Sequence, residues 1–106
     1  MTPDDILKLS PKFWALFDDP CIALDGGLFT ILVAQVNLTV GTLSRFLPSR
    51  PDLFPLVNAL LKGDIIGLFL LSERGHGLDA INIETTAHQQ DDGSYVLNTP
   101  TEEATK

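Results

Sequence analysis

No charged residue occurs between Asp25 and Arg45, and this stretch constrains the fold more than any other. Leu28, Ile31, Val33, Val36, Val40 and Leu43, with further apolar residues between them, would surround a helix on every side. A helix that is apolar all round either lies buried among other helices or crosses a membrane. Gln35 and Asn37 at its middle, Thr30, Thr39 and Thr42 around them, and three glycines favour burial. The expectation is a helix at the centre of a bundle, with no membrane span.

The segments before it start like helices. Thr2 precedes Pro3, with Asp4 and Asp5 in the first turn, and Ser10 precedes Pro11. A hydroxyl at the cap followed by proline is a good helix start. The first helix should run to about Leu9. The second, carrying Phe13, Trp14 and Phe17, must stop before Pro20, because a residue ahead of proline avoids helical geometry. A further helix is expected over 52–62, with Gly63 as its terminator.

Beyond Gly63 the hydrophobic period changes. Ile65 to Leu71 is a continuous apolar run around Gly67, which reads as a buried strand. From Ala80 to His88, Ile81, Ile83, Thr85 and Ala87 alternate with polar residues, and Tyr95 and Leu97 alternate again. Asp91-Asp92-Gly93 between these stretches is a hairpin turn signal. Helices followed by strands argue for an α+β class, with a helical segment over 1–63 and a β segment over 64–106.

Bulk composition removes several functions. Seven basic against fourteen acidic residues give a net charge of -7, the wrong sign for a nucleic-acid partner. One cysteine, Cys21, allows no internal disulfide, and two histidines at 76 and 88 offer no zinc spacing, so no metal site is expected. Acids stand at the N-terminus where a secretory signal would carry bases, which fits an intracellular compartment.

The segment Ser72-Glu73-Arg74-Gly75-His76-Gly77-Leu78-Asp79 joins two expected strands. Gly75 to Ala80 satisfies the loose pattern G-x-G-x-x-A, but a dinucleotide motif needs a helix to follow, and here an alternating stretch does. Two readings of the glycines stay open. They can let backbone approach a ligand and offer consecutive amides to a heterocycle or phosphate, or they can serve a turn that needs positive φ. Glu73 and Arg74 read as an ordinary exposed pair, and Ser72 as a strand-end hydroxyl or a ligand contact.

This loop resembles one found in the acyl-CoA dehydrogenase and acyl-CoA oxidase flavoproteins. Phe69-Leu70-Leu71-Ser72-Glu73-Arg74-Gly75-His76-Gly77 is similar to the oxidase form T-E-L-G-H-G because of His76. Ile83-Glu84-Thr85-Thr86-Ala87 and Val96-Leu97-Asn98-Thr99-Pro100 resemble the family's following strands. Leu60-Leu61-Lys62-Gly63-Asp64-Ile65-Ile66-Gly67 resembles the junction between its helical domain and its first strand. The likeness extends from about Asp19 to the end of the sequence.

The resemblance implies the helical N-terminal domain of that fold running into its middle β-domain, with FAD as cofactor and an acyl-CoA as substrate. Phe69, Leu71, Ser72 and Gly77 would lie against the flavin. Leu78 stands where a Ser or Thr usually contacts phosphate or the pantetheine arm, and it cannot donate that hydrogen bond. The family reaction takes a proton from Cα and a hydride from Cβ of the thioester, the flavin accepting the hydride. The glutamate base and a second flavin segment belong to regions with no counterpart among these residues. No catalytic residue is assigned, and the expected partner is the remainder of the same protein or a chain carrying it. The resemblance also implies a homo-oligomer in the peroxisome or cytoplasm. The alternative is a truncated, non-catalytic paralogue that serves as a binding or assembly module.

Overall fold

Proline-led caps set the start of the fold as expected. The computed structural model describes all residues, Met1–Lys106. In α1 (Pro3–Leu7), Thr2 accepts the Asp5 amide while the Asp5 carboxylate takes the Thr2 amide, a reciprocal capping box. In α2 (Pro11–Phe17), the Ser10 hydroxyl accepts the Phe13 amide. α1 stops two residues short of expectation, because Leu9 takes a positive φ of 50°. A short α3 (Pro20–Leu24) follows, capped by Asp19, which accepts the Cys21 amide. The Asp19-Pro20 pair is the same type of start as the other two, though no helix was expected here from the sequence.

The uncharged stretch forms one continuous helix, α4 (Gly26–Ser44), capped by Asp25. Its middle, Val33–Val40, widens into π-helical turns. The Gln35 side chain leaves this wide section to donate to the carbonyls of Leu60 and Ile65 and to accept the Gly67 amide. A polar residue in an apolar helix thereby ties it to the end of α5 (Phe54–Lys62) and to the segment beyond. A 3₁₀ turn, Pro51–Leu53, leads into α5. Gly63 ends it at φ 79°, its amide bonded to Leu60, which is the left-handed helix stop expected there.

The chain divides into two compact units, Met1–Phe69 and Leu70–Lys106. The first unit's core is Ile6, Phe13, Val36, Val40, Val57 and Leu60. Thus α4 presents one face to α1 and α5. The expectation that it would be covered on all sides is corrected here: only 17% of its most apolar window is buried, and Ile31 is 60% exposed. Too few helices pack on it within the chain to cover the opposite face. By length and composition α4 is the one helix able to cross a membrane. That is weak evidence for a span, since core helices have the same makeup, and Gln35, Val36, Val40 and Ser44 all face inward contacts.

The expected strand over 65–71 is also corrected. Residues 66–72 form neither helix nor ladder, and Ile66 is 74% exposed. A run of apolar residues becomes a strand only when a neighbour takes its backbone groups, and here Gln35 takes two of them while no strand lies alongside. Gly67 leaves no room for a side chain, since a Cβ there would stand 2.4 Å from Thr39 Cγ2.

In the second unit, β1 (Thr86–Gln89) and β2 (Tyr95–Asn98) pair antiparallel, with Thr86 opposite Asn98 and Gln89 opposite Tyr95. Asp92 accepts the Ser94 amide and Gly93 takes φ 83°, so the Asp91-Asp92-Gly93 turn forms where expected. The first half of the expected 80–88 strand is instead a 3₁₀ turn, Ala80–Asn82, followed by irregular backbone. Its cause lies in the site described next, where the amides of Glu84 and Thr85 have another acceptor. The architecture is therefore mixed α and β, with a two-stranded sheet.

Large bare apolar faces drive association. The isolated 106-residue chain is expected to elute from size-exclusion chromatography as an associated species with an exposed α4. A well-folded, soluble monomer under dilute conditions would contradict this account of α4.

Candidate functional site

Glu73 is fully buried in the second unit, not the exposed partner of Arg74 that the sequence suggested. Its carboxylate accepts the amides of Glu84 at 2.9 Å and Thr85 at 3.0 Å, and the Lys106 ammonium at 3.1 Å. Burial alone would push this carboxyl up. The hydrogen bonds from Thr85 and Glu84, with Lys106, overcome it and bring the group down to about 2. Arg74 pairs instead with Glu102 at the surface.

Around Glu73 the glycine loop closes on itself. The amides of His76 and Gly77 both donate to the Glu73 carbonyl, and the Glu73 amide donates to Gly77. The Arg74 amide donates to Thr105 and the Gly75 amide to Glu103. All four consecutive amides from 74 to 77 are thus engaged within the protein, and none is left for a phosphate or a heterocycle. That answers the question the sequence left open. Gly77 is glycine because φ is 56°, and Gly75 because a Cβ there would stand 2.7 Å from Glu103 Cβ.

His76 adds a second tie. Its Nε2 lies 2.8 Å from Glu84 Oε1, and the Thr101 hydroxyl donates to the other oxygen of Glu84 at 2.6 Å. The Glu84 hydrogen bond raises the His76 pKa against the opposing effect of burial. Glu84 is lowered in turn by Thr101 and His76. Ala104, fully buried, seats the segment 101–106 against the loop, and Thr85 Oγ1 donates to its carbonyl.

The expected flavin-facing residues fall into two sets. Phe69 ends the first unit; Leu71, Ser72, Gly77 and Leu78 belong to the second. No amide from 68 to 72 donates a hydrogen bond within the chain, and Ser72 is exposed with its hydroxyl unengaged. The Leu71 carbonyl accepts Lys106 at 3.4 Å. Leu78 is 76% exposed and has no polar side-chain atom to offer. Within the second unit the amides of 70–72 are therefore unpaired, while those of the glycine loop are engaged. No group of three or more His, Cys, Asp or Glu side chains is arranged to hold a metal.

The residues that sequence reasoning missed are Lys106, Glu84 and Glu73 itself. Their meeting depends on positions far apart in the chain, and no local spacing signals it. No family model matches this chain, and neither a curated protein nor a solved structure matches it.

A raised histidine contributes stability that is fully present below its ordinary pKa of 6.5 and is lost as pH rises through the raised value. Glu84→Gln should therefore lower the midpoint of the His76 ring resonances in an NMR titration and remove that alkaline loss. An unchanged midpoint would mean that Glu84 does not hold the ring.

Proposed function

We propose that this chain supplies part of the flavin and acyl-CoA site of an acyl-CoA oxidase or dehydrogenase, with FAD as the cofactor. One observation carries the reading: a run of unpaired amides over 70–72, ending in the unengaged Ser72 hydroxyl, adjoins a loop fixed by a buried carboxylate. The likeness of Ser72–Gly77 to the oxidase loop gives that edge its ligand. FAD supplies the redox chemistry when bound. The second unit's own part is to hold the flavin edge through Ser72 and the backbone of Leu71.

The assigned roles narrow in two places. Gly77 serves the turn and approaches the cofactor only as backbone, since its amide is engaged by Glu73. Leu78 can offer an acyl-CoA an apolar contact alone. None of the fourteen acids carries a motif for the base that would take the Cα proton, so the chain works with the remainder of its protein or a second chain. The bare face of α4 is consistent with such a partner, and equally with the second reading, a non-catalytic assembly module. The presence of flavin in the protein purified from its source separates the two.

Ser72 tests the reading directly. A hydroxyl donating to the pyrimidine edge of a reduced, anionic flavin is worth roughly 1.5–3 kcal/mol. About 30 mV corresponds to about 1.4 kcal/mol for a two-electron couple, so Ser72→Ala should lower the potential by up to roughly 30–60 mV. It should also weaken flavin retention. The measurement is a spectroscopic redox titration of both proteins with flavin content determined in parallel. Equal potentials and equal occupancy would leave Ser72 a surface hydroxyl.

A further inference from the structure

The Lys106 ammonium touches both neighbours of Ser72. It donates to the Leu71 carbonyl at 3.4 Å on one side and to the Glu73 carboxylate at 3.1 Å on the other. The lysine side chain is itself mostly covered, 22% exposed, and the carboxylate is fully covered. A buried pair of this kind contributes little net stability, because desolvating two charges offsets their attraction, but removing one partner is costly. Such pairs therefore specify an arrangement more than they stabilise it.

We propose that Glu73 and Lys106 are a positioning pair, in which the segment 101–106 acts as a strap that fixes the backbone at Ser72 for its ligand. The function of the strap rests on the flavin reading; its effect on the loop does not.

The strap is built for this task along its length. Thr101 ties to Glu84 and caps the turn by accepting the Ala104 amide at 3.1 Å. Ala104 is buried, and the carbonyls of Glu103 and Thr105 take the amides of Gly75 and Arg74. Gly75 lets Glu103 approach to a distance that any side chain would block. The strap therefore delivers Lys106 beneath Ser72, and the same carboxylate that receives it also holds Glu84 and Thr85 at the entrance to β1. Ser72 itself makes no hydrogen bond that could orient it, so its direction is set by the two residues beside it.

The charged groups that face Glu73 are Lys106, His76 and Glu84. Its carboxyl is held well below the ordinary value of 4.5, so its contribution is present above that value and is lost as pH falls towards about 2.

The test compares Lys106→Met with Lys106→Arg in the intact protein. Hydrogen exchange is read at the amides of Arg74, Gly75, Glu84 and Thr85, with the β1–β2 amides as an internal control, and FAD affinity is read by fluorescence titration. Lys106→Met should speed exchange at the four loop amides by about tenfold or more while the hairpin keeps its protection. It should weaken FAD binding by a similar factor, and Lys106→Arg should restore both. Unchanged loop exchange in Lys106→Met, or equal loss in loop and hairpin, overturns the positioning role. Should the wild-type protein bind no FAD, the flavin reading fails by itself, and the exchange contrast still decides the strap. The wild-type pH profile provides a measurement without any variant. Loop protection, corrected for intrinsic exchange, should persist at pH 4.5 and fall only towards pH 2, and a loss complete by pH 4.5 contradicts the pair.

Discussion

A buried carboxylate organises the second unit. The Glu73 side chain has no access to solvent and must find its hydrogen bonds inside the protein, and it finds them on two separate segments, 84–85 and Lys106. By taking the amides of Glu84 and Thr85 it leaves those residues irregular and delays the start of β1 to Thr86. By taking Lys106 it draws the last residues of the chain onto the glycine loop. By closing a tight turn through its own carbonyl it engages the amides of His76 and Gly77, while Thr105 and Glu103 take those of Arg74 and Gly75. An exposed ion pair of the sort first expected at Glu73 and Arg74 would do none of this.

In the first unit the corresponding polar device is Gln35. Placed in the π-helical part of α4, its amide group satisfies two carbonyls and one N–H beyond the helix, two of them in the segment after α5. The rest of α4 stays dominated by apolar side chains, many of them bare. The helix is therefore anchored by a few specific contacts and left with a surface suited to further protein. Both units share this plan, with one polar side chain, half-buried Gln35 in the first and buried Glu73 in the second, setting where irregular backbone runs.

Local chemistry was readable from the residues alone. Thr2 and Ser10 cap helices, Gly63 and Gly93 take positive φ, and the 95–98 strand is where alternation put it. What failed was any inference that needed to know a neighbour. The apolar run 65–71 and the apolar faces of α4 both read as buried, because hydrophobicity reports a preference for cover and not whether the chain supplies it. Glu73 failed for the opposite reason: a charged residue in a short polar loop reads as exposed unless its distant partners are known. Gly75 and Gly77 stood out in the sequence, but only coordinates separate a close approach to Glu103 from room for a ligand. Of the candidate site, the glycine loop stood out in the sequence, while the meeting of Glu73 with Glu84, Thr85 and Lys106 did not.

The most direct test is amide protection across 70–77 in the wild-type protein with and without FAD. The account predicts that FAD slows exchange at the amides of 70–72, which are unpaired in the chain, and leaves the four amides of 74–77 unchanged because they are already engaged. Protection appearing at 74–77 alone, or no change anywhere in 70–77, would contradict it.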